Sequence, residues 1–208
     1  MSFVSRAGIV LGTAVIGMAV ALPASAADSV TVSADLNGDG VADKVSVRVY
    51  DSQRQVLNTE VGGTTLGVLL PLDSHIGVVA PKIVDLSGDG TQDIVVSEVE
   101  GANTTTFSAW DLGPAGLRQL TTPDSQPMRL YDGGGLAARN RLTCTDDQGF
   151  RELVVVSAEA DWNTDPIVYN GTRTSYRVAD GVATQGQVVP ITAQPGDSPL
   201  LQGELAAC

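Results

Sequence analysis

The sequence is short of positive charge. Of its 208 residues only 12 are Lys or Arg, and just two of those are lysine (Lys44 and Lys82), against 24 Asp or Glu, a net charge of −12. An acidic chain of this kind excludes nucleic acid and an anionic membrane surface as the main partner, because phosphate repulsion is not offset by any basic run. It suits a protein that gathers divalent cations. The scarcity of lysine also points to a GC-rich bacterial source. Histidine occurs once, at His75, which excludes a histidine cluster for zinc. The run Asp73-Ser74-His75 is no catalytic triad, since a triad is defined by geometry and not by adjacency in sequence. His75 reads as a surface residue. A G-x-S-x-G nucleophile elbow is missing too. Gly133-Gly134-Gly135 is followed by neither lysine nor a helical pattern, so it reads as a flexible connection and not a phosphate cradle. Helical periodicity is absent throughout. A composition rich in Val, Thr, Gly and Asp favours strands and turns.

Long apolar runs are equally scarce. The single one, Ala7 to Leu22, has 16 residues, fewer than the about 20 a membrane span needs. Arg6 precedes it, and Pro23 and Ala24-Ser25-Ala26 follow. This is the pattern of a cleavable export signal over residues 1–26. An uncleaved N-terminal anchor is the alternative. No cysteine directly follows the run, which argues against a lipid anchor. The expected mature chain, residues 27–208, is a soluble secreted domain with no stable membrane insertion. Only two cysteines exist, Cys144 and Cys208, both in the exported part. In an oxidising compartment such a pair forms one disulfide, with two free thiols as the alternative. Closing some 60 residues is worth about 4 kcal/mol in the chain-entropy model.

What the chain does have is a repeat. From Asp35 it reads DLNGDGVADKVSVRVY, and 50 positions later, from Asp85, DLSGDGTQDIVVSEVE. A weaker third copy, CTDDQGFRELVVVSAE, starts at Cys144, 59 positions further on. The units run roughly over 29–75, 76–130 and 136–192, followed by a C-terminal tail. In the second unit the pattern predicts strands over 82–84, 94–99, 104–112 and 117–120, with a turn at Gly113-Pro114-Ala115-Gly116. In the third it predicts strands over 153–158 and from Ile167 to Tyr169, a hairpin at Asn170-Gly171, and a turn at Asp180-Gly181 before 182–191. The first unit is less legible after Tyr50, where Gly62-Gly63 interrupts it. The sequons at Asn103 and Asn170 read as turn chemistry. Four short antiparallel strands per unit is the plan of a propeller blade, and blades must stack to bury their faces. The expected fold is therefore all-β: three four-stranded antiparallel blade-like repeats in a small or partial β-propeller-like array, closed by itself or completed by another chain.

The loops carry the chemistry. Counting Asp35 as position one puts Asn37 at three, Asp39 at five, Val41 at seven and Asp43 at nine; the second set is Asp85, Ser87, Asp89, Thr91 and Asp93. Calcium takes six to eight oxygens at about 2.3–2.6 Å from carboxylates, amides and backbone carbonyls. Alternate positions of a tightly coiled loop can converge on one ion, position seven through its backbone carbonyl. Three neighbouring carboxylates repel one another without a cation. An EF-hand loop opens the same way but needs an acid at position twelve and a following helix. Here position twelve is Ser46 or Val96, and a strand follows. In the third copy, Cys144, Asp146, Gln148 and Glu152 fall at positions one, three, five and nine. Only two carboxylates remain, so no calcium is expected there, and the disulfide is expected to hold that corner instead.

The D-x-[DN]-x-D-G-x-x-D loop between strands resembles the calcium loop of FG-GAP repeats, known from integrin alpha-chain propellers and bacterial VCBS-repeat proteins. The resemblance spans about 150 residues as repeat layout, with some 30 matching specifically. It implies a β-propeller-like fold, two calcium ions in the strand-connecting hairpins, and a scaffold, adhesion or ligand-binding role toward an extracellular protein or glycan. The chain is expected not to be an enzyme. A carbohydrate-active enzyme or enzyme subunit is a rival reading, through Asp146-Asp147, Glu98 with Glu100, or Glu159 with Asp161, although carboxylates on a solvated strand face explain these more simply. A purely structural repeat without calcium is a third. Trp110 and Trp162 are expected as core anchors, with exposed ligand platforms as the alternative.

Overall fold

Alternating Val, Ile and Leu with turn residues between them produce strands almost throughout. The computed structural model describes residues 28–147 and 149–208. The expected export signal, residues 1–26, lies outside them, as does Gln148. Among the described residues there is no α-helix, and none long and apolar enough to cross a membrane. Strands β1 (Ser29–Ala34), β2 (Asp43–Asp51), β3 (Arg54–Val61) and β4 (Thr64–Pro71) form an antiparallel four-stranded sheet in that order. A second up-and-down run follows in β5 (Lys82–Val84), β6 (Asp93–Glu100), β7 (Thr104–Gly113) and β8 (Gly116–Gln119). After β9 (Leu130–Gly133) comes a third, in β10 (Ala138–Asp147), β11 (Phe150–Asp161), β12 (Val168–Ala179) and β13 (Val182–Pro195).

The fold is all-β and antiparallel, as the sequence implies, but the second and third runs are not separate sheets. β8 pairs only with Trp110–Gly113 of β7. The rest of that edge, Thr104–Phe107, is taken by β9. β9 also meets β10 through the pair Asn140 and Gly133. One nine-stranded sheet results beside the four-stranded one, and neither closes into a barrel or ring.

Packing explains the uninterrupted apolar run of β6. Ile94 and Val96, with Trp110, face a core shared with Val45, Val47 and Leu57 of the first sheet. Val95, with Phe107 and Ala109, faces the opposite core, shared with Leu142 and Leu153. A strand covered on both sides has no solvated face, so it shows no apolar–polar alternation. A polar tie crosses between the sheets. The Gln55 amide, 1% exposed, donates to the carbonyls of Pro71 at 2.7 Å and Ser97 at 2.6 Å. The tail places Leu201 against Val156, Ala158, Tyr169 and Ile191 on the outer face of the third run, and Leu205 in the inner core.

Several local expectations need correction. Asn170-Gly171 is not a hairpin, because β12 continues through it. Gly171 pairs with Ala158 and Ile191, next to a register shift. A Cβ at Gly171 would run into the Ser157 carbonyl oxygen, so glycine serves close strand approach here and not a turn. Glu98 is not on a solvated face: it is 2% exposed and ion-paired with Arg129, because both sides of β6 are covered. Trp110 is a core residue whose indole N–H donates to Ser108 Oγ at 2.9 Å, whereas Trp162 is exposed. The Gly133–Gly135 connection is pinned: the Gly134 N–H donates to the Asn103 carbonyl at 2.5 Å, and the Ala138 N–H donates to that of Gly134 at 3.1 Å. His75 is on the surface, as expected.

Double-sided burial of β6 makes neighbouring positions equally sensitive. Ile94→Ala and Val95→Ala should each cost about 2–4 kcal/mol in urea denaturation. A strand buried on one side would show that loss at only one of the two, and such a result would contradict the layering.

Candidate metal-binding loops

β1 and β2 are joined by residues 35–42, and β5 and β6 by residues 85–92; the ladders stop with Ala34 opposite Asp43 and Val84 opposite Asp93. The two excursions fold by the same hydrogen bonds. At position one, Asp35 Oδ1 accepts from the Gly38 N–H at 2.8 Å and Oδ2 from the Gly40 N–H at 2.9 Å. Asp85 accepts from Gly88 at 2.6 Å and Gly90 at 3.2 Å. The position-three oxygens, Asn37 Oδ1 and Ser87 Oγ, accept from the N–H of Asp39 and Asp89. Position five accepts from position seven: Asp39 from the Val41 N–H at 2.7 Å, and Asp89 from the Thr91 N–H at 2.8 Å. Position nine closes the loop, Asp43 Oδ2 accepting from the Leu36 N–H at 3.0 Å and Asp93 Oδ2 from the Leu86 N–H at 2.7 Å. Carboxylates that satisfy loop N–H groups in this way act as the turn-forming partners that Asp and Asn provide locally.

Burial is graded in the same order in both loops. Asp39 and Asp89 are exposed and Asp35 and Asp85 half-buried, while Asp43 and Asp93 are each only 6% exposed. Val41 is exposed and Thr91 half-buried. Among the described residues, no three or more His, Cys, Asp or Glu side chains converge as a group able to hold a metal ion, because the carboxylates turn toward the loops' own N–H groups. The donor set nonetheless has the chemistry calcium requires. It is all oxygen, and part of it stays open: among the described residues Asp43 and Asp93 are engaged through Oδ2 only and the bonds to Asp89 end on Oδ1, whereas Asp39 accepts through both oxygens. No hydrogen bond from the described residues ends on the carbonyls of Val41 or Thr91.

The second loop is electrostatically the more demanding. Burial, with Asp111, Asp85 and Asp89 nearby, pushes the Asp93 carboxyl up from 3.8 to about 7, against the Leu86 N–H that lowers it. Burial also acts to raise Asp89, but bonds from the Thr91 hydroxyl and N–H and from Ser87 outweigh it and leave that carboxyl below the ordinary value. A cavity of about 370 Å³ opens here, lined by Asn37, Asp89, Asp93, Asp111, Arg118 and Asp180 among others. Arg118 grips Asp111 with two bonds, at 3.0 and 2.6 Å.

The loops lie side by side. The Asp35 N–H donates to Gln92 Oε1 at 2.8 Å, and the Gln92 N–H donates to the Asp35 carbonyl at 2.9 Å. Between the second loop and the third corner, Arg151 Nη1 donates to the Asp85 carbonyl at 3.2 Å and the Cys208 backbone oxygen at 2.8 Å, and the Asp85 N–H donates to Cys208 at 3.3 Å. A Cβ on Gly88 would sit 2.7 Å from Arg151 Cβ, so this contact requires glycine. Gln92 and Arg151 both occupy position eight when the repeats are superposed in sequence. Neither stood out as a functional residue, since position eight contributes no ligand and its role lies in the neighbouring loop. Asp111, Arg118 and Asp180 also escape sequence reading, being far from the motif along the chain.

The third corner is built differently. Its ladder runs on to pair Asp146 with Arg151 and Asp147 with Phe150, whereas the other two ladders stop on either side of an eight-residue loop. Asp146 Oδ1 accepts from Arg151 Nε at 3.0 Å. Cys144 and Cys208 are joined in a disulfide, with Cα atoms 4.9 Å apart. The position-five residue, Gln148, lies outside the described residues. Comparison of the chain with protein-family models, with curated proteins and with solved structures finds no match in any of the three.

The raised Asp93 carboxyl has a definite consequence for stability without metal. The folded chain keeps a proton there that the unfolded chain releases near 3.8, so stability falls as pH rises from about 4 to about 7. In chelator, Asp93→Asn should gain on the wild type across that window by roughly 3–4 kcal/mol, followed by urea denaturation at several pH values. Parallel curves for the two proteins would remove the burial argument.

Proposed function

We propose that the chain is an exported calcium-binding repeat protein of the FG-GAP/VCBS type. In this reading three four-stranded units form a small or partial β-propeller-like array, and two of their loops each hold one calcium ion. The array acts outside the cell as a non-enzymatic scaffold, adhesion or ligand-binding module, toward a protein or glycan. One observation carries the reading: two loops 50 positions apart fold by the same hydrogen bonds, and each carries an all-oxygen donor set with three carboxylates at the equivalent position of its unit. Asp35, Asn37, Asp39, Asp43 and the Val41 carbonyl would hold the first ion. Asp85, Ser87, Asp89, Asp93 and the Thr91 carbonyl would hold the second. Calcium would supply the positive charge that the buried Asp93 and its carboxylate neighbours lack.

The ends of the array support a self-contained stack. Terminal repeats need a polar outer face. The outer face of the first sheet carries Thr31, Lys44, Ser46, Arg48 and Glu60, and the tail lies over that of the third run.

A second reading, loops held by hydrogen bonds alone, is favoured by Asp35 and Asp85. Both oxygens of each already accept loop N–H groups. Melting in calcium and in chelator separates the two. With calcium at a hundredfold excess over Kd, Tm should rise by about 5–10 °C per occupied site, and titration should count two ions. Asp39→Ala with Asp89→Ala should abolish the shift. Equal melting temperatures would leave the hydrogen-bonded loop as the whole explanation.

A further inference from the structure

We infer that Arg151 makes the second loop the weaker of the two cation sites, so that a divalent cation fills the pair in two steps, first loop first. The inference rests on the calcium reading above and deepens it.

The two loops receive different neighbours at the same point. Position eight of the following unit reaches back to the position-one aspartate. For the first loop that residue is Gln92, a neutral amide that meets the Asp35 backbone. For the second it is Arg151, whose guanidinium lies 3.6 Å from Asp85 Oδ2. Arg151 cannot discharge itself by losing a proton. Nor is it free to swing away. Nε donates to Asp146, Nη1 donates to the backbone oxygens of Asp85 and Cys208, and its Cβ is packed against Gly88. The Cys208 oxygen is held in place by the disulfide to Cys144. The second loop therefore carries a fixed guanidinium, itself paired with Asp146, against its first ligand, where the first loop meets the neutral amide of Gln92.

That charge acts in two ways. It already neutralises part of Asp85, and it repels an arriving divalent ion a few ångströms further on. For a partly exposed site the two effects amount to roughly a tenfold loss of affinity, shrinking with salt. Ser87 in place of Asn37 at position three acts in the same direction, since a hydroxyl is a poorer ligand than an amide oxygen. The sequence ordering of the sites is thus also an ordering of affinity.

Calorimetric titration of the oxidised full chain with calcium at low ionic strength tests this. Wild type should show a tight and a weak site, the tight one lost in Asp39→Ala and the weak one in Asp89→Ala. Arg151→Gln, which recreates the Gln92 arrangement, should tighten the weak site about tenfold and leave the tight one alone. Arg151→Lys should keep the gap. Gln92→Arg should weaken the tight site and so bring the two together from the other side. Circular dichroism in chelator checks that each variant is folded; if Arg151→Gln is not, the Gln92→Arg arm decides. Two sites of equal affinity, or a gap that neither substitution at position eight moves, would overturn the inference while leaving the calcium reading intact. No binding at all by the wild type would overturn both.

Discussion

A single hydrogen bond, made twice, ties the loops to the core: the position-nine aspartate accepts the N–H of the leucine at position two. Asp43 and Asp93 stand at the first residue of β2 and β6 and are nearly inaccessible. The leucines they hold, Leu36 and Leu86, are 2% and 1% exposed and pack into the two main cores, one on each side of the middle layer. The bond thus joins the mouth of each loop to the apolar contact between neighbouring units. A buried carboxylate is costly unless hydrogen-bonded or paired, and it is tolerated here because it satisfies a backbone N–H that would otherwise be buried without a partner. Loosening it would free the leucine and the loop together.

Neighbouring loops are then held in register by position eight. The first and second loops exchange a pair of bonds through Gln92 and Asp35. Between the second loop and the third corner the same task is divided. Arg151 supplies the donor, and Cys208 supplies the oxygen that accepts from the Asp85 N–H. The disulfide therefore does more than close a long loop. It places a specific oxygen where the repeat pattern has lost its amide, and so substitutes for a missing element of the repeat.

Much of this was legible in the sequence, for physical reasons. The two Asp-Gly loops announce themselves because their bonds are local, each made within a few residues. The alternation of β2 and the turn at Asp180-Gly181 are local in the same sense, whereas Gly62-Gly63, which joins β3 to β4, reads in the sequence only as an interruption. What failed were features decided by distant chain. Leu130-Tyr131-Asp132-Gly133 is too short to signal a strand, and it pairs only because β8 leaves half of β7 open. Asn170-Gly171 has the composition of a hairpin, but flanking strands on both sides keep it extended. Glu98 reads as a solvated carboxylate because charged residues on strands ordinarily face water, whereas β6 has no solvent side there. Gln92 and Arg151 look like ordinary surface residues until the loops are laid edge to edge.

Charge is where these levels meet. The second loop lies between the first loop and the third corner, and its closing aspartate is nearly inaccessible. Burial, reinforced by the nearby Asp111, Asp85 and Asp89, raises the proton affinity of Asp93 toward neutrality. Arg151 and Arg118 provide some positive charge, each paired to acids at the rim, but neither reaches the closing aspartate by a hydrogen bond. The layout therefore divides neutralisation between guanidinium groups paired at the rim and whatever occupies Asp93, which is a proton at low pH. Under the proposed function a calcium ion takes the proton's place as pH rises. Cation binding and proton release are then linked at one carboxylate, buried where two layers of the sheet stack meet. The strength of the loop would thereby become part of the strength of the stack.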